Sequence, residues 1–433
     1  MSSTHCRARN YIAQLLQDCS LDTLLDRLAP KREPLPPRLP STARLDPEEL
    51  DRRWTALPAA PGGKTALLDP QTLGQLDAYR HNIENLIGTV KVPVGVAGPL
   101  RVNGLFAQGD FFVPLATTEA ALVASYSRGA QAITEAGGCS AMLLAEGISR
   151  APGFVFGDLQ EVGVFLVWAL AHVEEFRLAA EATTRHGRLA DMRIAVEGNH
   201  VYLSFEFTTG DAAGQNMVTI ATEAICTYIA ARSPVKPRAA FVEANLSGDK
   251  KASAQSFLSV RGKKVTAEAT LPRPLVGRRL HTTPDRMVEY WRMSAIGGVL
   301  SGTLGIHGHY ANGLAALYLA TGQDVACVAE SAVGVTRLEL TPAGDLYAAV
   351  TLPNLTVGTV GGGTGLPSQR TCLEILGLAG PGRAPALAEV CAGLCLAGEV
   401  SIIGALAAGE FARAHERLAR GGHRPEPAEV AGV

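Results

Sequence analysis

Several residues spread along the chain could move protons or hold a developing charge. ATTEAALVAS places Glu119 at what the pattern predicts as the first turn of a helix. A carboxylate there either complements the helix dipole or handles a proton at the helix mouth. SGDKKAS (Ser247–Ser253) sets Asp249, Lys250 and Lys251 in a small-residue segment. Such a segment is either a solvated turn or a lysine placed near carboxylates to polarise a carbonyl oxygen. Asp324 stands beside Gln323 in the otherwise apolar ATGQDVACVAES. IHGHYANG offers His307 and His309, but no third ligand is near in sequence, so no metal site is predicted. His415 sits in the helical pattern FARAHERLAR. An acid, a lysine, an aspartate and a histidine are available, and their spacing alone does not bring them together.

The stretch GTVGGGTGLPSQ (Gly358–Gln369) raises a different question. Dense glycine means a sharp bend or a close approach of something to the backbone. The P-loop pattern fails because Thr364 stands where its lysine should be. The dinucleotide pattern fails because its third glycine would fall at Leu366 or Ser368. A plain tight turn and a close approach both remain open on these residues.

The elements that must position these groups are partly legible. Residues 1–29 have the apolar spacing of a short amphipathic helix, with Ile12, Leu15, Leu16, Leu21, Leu24 and Leu25. PKREPLPPRLPST (Pro30–Thr42) is a semi-rigid proline-rich linker. Asp46 then caps a helix with Pro47 in its first turn. VKVPVGVAGPLRVNG (Val90–Gly104) predicts a strand and hairpin. Thr117–Gly138 predicts a long helix with a threonine cap and a Gly-Gly stop. Between about 152 and 242, strands (GFVF, MRIAVEGNHVYLSFEFTT, RAAFVEA) alternate with helices (DLQEVGVFLVWALA, GQNMVTIATEAICTYIAARS), as in a compact α/β or α+β domain. Beyond it, long Ala/Gly-rich helices are predicted to the end, including a buried central one.

Composition narrows the class. The 433 residues are 47% hydrophobic and 18% charged, as in a packed globular protein of two or three domains. A net charge of −2 gives no argument for nucleic acid or an anionic membrane surface. The eight cysteines are scattered with no C-x-x-C pair, and MSSTHCRARNYIAQLL holds no secretory run, so free thiols in a reducing cytoplasm are expected. Cys391 and Cys395, one helical turn apart, predict a buried helix contact rather than a metal pair. No uninterrupted apolar run reaches the ~20 residues of a spanning helix. The C-terminal region comes nearest, broken by Glu399 and Glu410.

From about Asn82 to His415 the chain resembles 3-hydroxy-3-methylglutaryl-coenzyme A (HMG-CoA) reductase. The motifs ENLIGTVKVPVGVAGPL, ATTEAALVAS, GDAAGQNM, GDKKA, GHYANGLAALYLATGQD and LPNLTVGTVGGGTGLPSQ carry the resemblance, in family order. It is to the class I branch, in a form without that branch's membrane anchor. The resemblance implies reduction of the thioester by two hydrides from NADPH, giving mevalonate and free coenzyme A. It implies catalytic roles for Glu119, Lys250, Asp324 and His415, and substrate contacts at Arg150, Asp249, Lys251, His309 and Asn312. Cofactor contacts would fall on Asp211, Ala212, Gly214, Gln215 and Asn216, on Thr184 and Arg185 for the 2′-phosphate, and on Gly361, Gly362 and Gly363. Where the family has a substrate-binding serine this chain has Glu243, and only Arg292 stands near the place of a family lysine. The phosphorylatable serine of eukaryotic members is Gly421 here.

The resemblance also implies an α+β fold. An N-terminal helical region with its linker covers 1–87. A large, mainly helical substrate domain around a long central helix covers 88–151 and 243–433. A ferredoxin-like NADP-binding domain is inserted at 152–242. Members are dimers or tetramers with shared active sites, so a homodimer or homotetramer is expected here, binding HMG-CoA and coenzyme A, with no nucleic acid and no membrane. The rivals are an NAD-dependent catabolic oxidation of mevalonate, a Schiff-base lyase using Lys250, and a noncatalytic acyl-CoA-binding homologue.

Overall fold

The computed structural model describes residues 4–31, 45–58 and 62–410. The chain divides into two compact units, Met1–Val90 and Lys91–Val433. In the first, the predicted single amphipathic helix is two, His5–Asp18 and Leu21–Leu28, because Ser20 caps a new start through Thr23 N. Beyond Lys31 the proline-rich linker lies outside the described residues. Asp46 caps the helix Pro47–Ala56 as predicted, accepting from Glu49 N at 2.9 Å. A small core of Leu45, Leu50, Leu76 and Leu86 forms beside it, tied by Arg53 Nη1 donating to the Leu86 carbonyl at 3.0 Å.

The second unit is built on a mixed sheet. Strands β1 (Val94–Gly104) and β2 (Gln108–Ala116) form the predicted hairpin. Strand β3 (Cys139–Arg150) pairs parallel to β1 near its start. Strands β4 (Gly153–Val155), β5 (Arg188–Glu197), β6 (His200–Thr208) and β7 (Ala239–Phe241) follow in the middle block. Strands β8 (Gly262–Leu271), β9 (Gly305–Ile306), β10 (Gly334–Leu340) and β11 (Leu346–Leu355) come after it. The order is β7-β4-β6-β3-β8-β11-β10-β9. Strand β3 is the joint. Ser140–Gly147 pair antiparallel with β8, and Ile148–Arg150 pair antiparallel with β6.

Two separate cores flank that joint. One, with Phe154, Phe156, Phe165, Phe176, Phe205 and Phe207, is sealed by the helices Leu159–Ala171, Val173–Glu181 and Gln215–Arg232. The other surrounds the helix Ala384–Ala408, which is buried nearly along its whole length. By length and composition that helix could cross a bilayer, yet 89% of its apolar window is buried inside the protein. Its small residues admit close neighbours, as where Arg128 Nη2 donates to the Ser401 carbonyl at 2.9 Å.

Three expectations need correcting. The stretch after 242 is not helical to the end. It carries β8, β10 and β11, whose residues alternate between buried and exposed with the period of strands. The helix predicted at Thr117–Gly138 spans Leu122–Glu135, with a left-handed Ala121 (φ 72°) at its start and no side-chain cap. Glu119 therefore lies in the turn before the helix, where its amide donates to Thr117 Oγ1 at 3.0 Å. The Gly-Gly stop is present, with Gly137 and Gly138 at φ 109° and 100°. The helix Val173–Glu181 fell in a stretch with no predicted element.

Candidate active site

Lys250 is the centre of the strongest cluster. Its backbone is left-handed (φ 56°), a conformation that costs a β-carbon residue and persists only where surroundings enforce it. The enforcing contacts are visible. The Lys250 amide donates to Glu330 Oε2 at 3.1 Å, and its Nζ lies 2.9 Å from Asp324 Oδ2. The hydrogen bond to Asp324 holds the Lys250 ammonium above its ordinary range, with partial burial opposing. Asp324 is itself held by its position. It follows the helix Tyr310–Thr321 and accepts from Ala326 N at 3.1 Å.

Behind the pair runs a chain of buried and half-buried charges. Arg150 Nη1 donates to Asp249 Oδ2 at 2.9 Å and contacts Glu243 Oε2 at 3.5 Å. Arg261 bridges Asp249 Oδ1 at 2.5 Å and Glu330 Oε1 at 3.1 Å. Glu330 also accepts from Thr356 Oγ1 at 3.1 Å. Burial pushes the Glu330 carboxyl up, and Arg261 works against that. Arg261 stands in the charge-rich RGKK, which looks like a solvated turn, so nothing in the sequence signals its burial. Lys251 is exposed, its Nζ donating to the Asp249 carbonyl at 2.9 Å.

The glycine loop touches this cluster directly. Gly358 N donates to Gln323 Oε1 at 2.8 Å, and Gln323 Nε2 donates back to the Gly358 carbonyl at 2.9 Å. That reciprocal pair fixes the loop one residue from Asp324. A Cβ on Gly358 would meet Ala213 N at 2.7 Å, and one on Gly363 would meet the Gly322 carbonyl oxygen at 2.7 Å. These two glycines serve close backbone packing within the chain. Gly361 (φ 74°) and Gly362 (φ 54°) differ, because the space beside each is open.

The loop thereby joins Asp324 to Asp211–Ala213. Thr359 N donates to the Asp211 carbonyl at 2.9 Å, and the Asp211 carboxylate accepts from Gly382 N and Ala384 N at 2.7 and 3.2 Å, where the central helix begins. Ala212 accepts from Thr209 Oγ1 at 3.0 Å, and Gly214 (φ 81°) turns the chain into the helix at Gln215 and Asn216. The Gln215 carbonyl accepts from Arg150 Nη2 at 3.4 Å, and its side chain donates to Cys327 Sγ. Thr184 Oγ1 accepts from Gly187 N at 3.1 Å, while Arg185 is exposed.

A second cluster gathers at the start of the helix Tyr310–Thr321. Asn312 Nδ2 donates to Glu119 Oε2 at 3.0 Å. His309 Nδ1 lies 3.2 Å from Glu399 Oε1 and its ring stacks on Tyr126 with centroids 5.3 Å apart. Glu399, fully buried in the central helix, also accepts from Gly308 N, His309 N and Thr336 Oγ1. Burial alone would raise its carboxyl, but His309 and the Gly308 and His309 amides outweigh it and hold it below the ordinary range. Glu389, on the same helix, accepts from Leu105 N, Phe106 N, Ala107 N and Leu143 N, gripping the β1–β2 turn. A lone glutamate in an otherwise apolar helix must find such partners when buried, and that was the available signal for both.

The two clusters lie at opposite ends of one helix. From Asn312 to Thr321 the helix rises about 14 Å at ~1.5 Å per residue. Within one chain the structure unites Lys250 with Asp324 and Arg150 with Asp249, and it sets Glu119 with Asn312 at the other end. His415 lies outside the described residues, as does Gly421. Arg292 is exposed on the helix Pro284–Ser301. No group of three or more His, Cys, Asp or Glu among the described residues could hold a metal.

The family model described as hydroxymethylglutaryl-coenzyme A reductase matches residues 49–420. A 3-hydroxy-3-methylglutaryl-coenzyme A reductase of Pyrococcus horikoshii is 46% identical over 347 residues, 78% of this chain and 84% of that protein. One from Methanothermobacter thermautotrophicus is 46% identical over 346 residues, 79% and 86% of the two chains. Among solved structures, the class II 3-hydroxy-3-methylglutaryl-CoA reductase of Streptococcus pneumoniae bound to NADPH superposes with a TM-score of 0.62 at 20% identity, covering 83% of this chain and 96% of that one. That likeness establishes a shared mixed α/β fold. With the family model spanning most of its length and relatives of this identity, the chain belongs to the hydroxymethylglutaryl-coenzyme A reductase family.

Proposed function

We infer that this chain reduces HMG-CoA to mevalonate and free coenzyme A with two NADPH, in isoprenoid biosynthesis. Family membership supplies the reaction. The observation that carries the site assignment is the charged Lys250 held against Asp324 beside the glycine loop. NADPH fits the residues present. The open space at Gly361 and Gly362 admits a ligand against bare backbone, the helix at Gln215 offers its amide end, and the exposed Arg185 suits a 2′-phosphate. When bound, NADPH supplies the hydride.

The chain's own groups do the rest. As the thioester carbonyl is reduced, negative charge grows on its oxygen, and the Lys250 ammonium stabilises it. One such preorganised donor is worth about 3–4 kcal/mol. Asp324 keeps Lys250 charged and aimed. His415 protonates the departing thiolate, whose ordinary pKa is near ~8.5, and so prevents its return to the aldehyde. Glu119 donates the proton for the aldehyde step. Glu119 lies in the turn ahead of its helix, where Asn312 Nδ2 donates to its carboxylate at 3.0 Å. A Schiff-base role for Lys250 fits less well, since the attacking amine must be neutral and Asp324 favours the cation.

The division into 1–87, 88–151 with 243–433, and 152–242 as the cofactor domain is our reading of the two cores and the joint at β3. So is a homodimer or homotetramer with shared active sites. The exposed Met293, Ile296, Val299 and Leu300 on one helix support burial against a second copy. The separation of Glu119 from Lys250 along the helix between them supports sites completed by two chains. The test is HMG-CoA-dependent oxidation of NADPH with release of free thiol. Purified protein that binds HMG-CoA yet oxidises no NADPH would sink the reading in favour of a noncatalytic homologue. Faster turnover with NADH would favour the catabolic rival.

A further inference from the structure

Asp324 and Glu330 stand on one short segment, and together they hold both ends of Lys250. The 3₁₀ turn Val325–Cys327 and the helical turn Val328–Ser331 fix the spacing between the two acids. The segment is itself tied down. Ser331 Oγ accepts from Tyr318 Oη at 2.9 Å and from Thr356 N at 3.1 Å, and it donates to the Asn354 carbonyl at 3.1 Å. Glu330 is fully buried, and its two oxygens face different partners. Oε1 accepts from Arg261 Nη1 and Thr356 Oγ1, each at 3.1 Å, and Oε2 accepts from the Lys250 amide at 3.1 Å. A carboxylate accepts at both oxygens, whereas an amide accepts at one end and donates at the other. The bond to the Lys250 amide matters because that residue has φ 56°, a conformation that crowds any Cβ. Freed of Glu330, the backbone relaxes towards negative φ and the side chain loses its direction. The ionisable groups that face the ammonium are Asp324, Asp249 and the Cys327 thiol. Glu330 reaches the lysine through the backbone instead.

Resting on the function inferred above, we propose that Glu330 is a positioning residue for the reduction, holding the Lys250 amide so that Asp324, on the same segment, meets the ammonium. The developing oxyanion then finds the lysine already aimed, and the segment 324–331 sets that aim at two points.

The experiment is the pH profile of HMG-CoA-dependent NADPH oxidation, with kcat and both KM values, in the full chain carrying Glu330→Gln. The charged Arg261 takes the new carbonyl oxygen, which leaves the NH2 group opposite the Lys250 amide, donor against donor. That variant keeps the contact to Arg261 and loses the one to Lys250. Its kcat falls by about tenfold to a hundredfold, the effect of a misaimed catalytic group, while the KM values for HMG-CoA and NADPH stay near those of the unsubstituted chain. The alkaline limb moves to lower pH, because Lys250 loses the Asp324 contact that raises its pKa. A variant that is less stable yet keeps its kcat and its alkaline limb shows that Glu330 serves only to pair with Arg261, and overturns the proposal. Thr356→Val removes a donor from the other oxygen and leaves the limb in place. A limb that moves there as well reports general disturbance of the buried network, and that also overturns the proposal. If Glu330→Gln does not fold, hydrogen exchange at the Lys250 amide of the unsubstituted chain decides. Strong protection is expected, and exchange at the rate of an open loop overturns the proposal. Inactivity of the unsubstituted chain is a separate result that overturns the function itself and this proposal with it.

Discussion

Lys250 Nζ stands 2.9 Å from Asp324 Oδ2, and the same lysine is pinned through its amide to the buried Glu330. A side-chain charge and a left-handed backbone are thus set by two acids, one at the ammonium and one at the amide.

The pH dependence follows from that pair. Asp324 raises the Lys250 pKa, so the ammonium persists beyond the ordinary lysine range near ~10.4. While Asp324 is ionised, the stability the pair contributes is fully present below the ordinary lysine range and lost as pH rises through the raised value. Asp324→Asn removes the cause, and the alkaline limb of the kcat profile moves to lower pH. A limb that stays in place assigns it to another group.

Arg261→Met should destabilise the chain by about 3–5 kcal/mol, the usual effect of breaking a buried pair. It strands Glu330 and part of Asp249 without a cation. Urea unfolding followed by circular dichroism measures it, and a loss below about 1 kcal/mol would mean that water reaches both acids.

The glycine loop separates two effects. Gly358→Ala places a Cβ 2.7 Å from Ala213 N and must push the loop off Asp211–Ala213. The KM for NADPH should rise at least tenfold. Gly361→Ala meets open space and carries only the strain of a glycine-favouring backbone (φ 74°, ψ 174°), about 1–3 kcal/mol. Stability should fall by that amount, and any larger KM effect reports contact with the cofactor. An unchanged KM for NADPH in Gly358→Ala would contradict the close packing of the loop on Asp211–Ala213.

Glu399→Ala leaves the amides of Gly308 and His309 and the Thr336 hydroxyl without their acceptor. Each buried orphan costs about 1–3 kcal/mol, so the loss should exceed about 3 kcal/mol in denaturant titration. Glu399→Gln should recover part of it.

Local patterns revealed much of this in the sequence. Asp46-Pro47 marked its helix, Asn103-Gly104 marked the hairpin end, and Gly137-Gly138 marked a stop. Strands β8, β10 and β11 escaped notice because their alternation lies among Ala/Gly-rich helices of similar composition. Glu119 was misplaced because Ala121 adopts a left-handed turn that no local rule predicts for alanine. Lys250 and Asp324 were legible as candidates, but their meeting depends on a reach of over seventy residues. Arg261 and Glu330 were illegible, since buried pairs and solvated turns use the same letters. The close approach predicted for GTVGGGTGLPSQ is real at Gly358 and Gly363, where the chain meets its own backbone.

The most direct test follows NADPH absorbance and free thiol together in one reaction with HMG-CoA, using the unsubstituted chain and Lys250→Ala. The account predicts two NADPH consumed per thiol released, and a rate reduced by about 10²–10³ in the variant. Full activity in Lys250→Ala, or thiol release without NADPH loss, would contradict it.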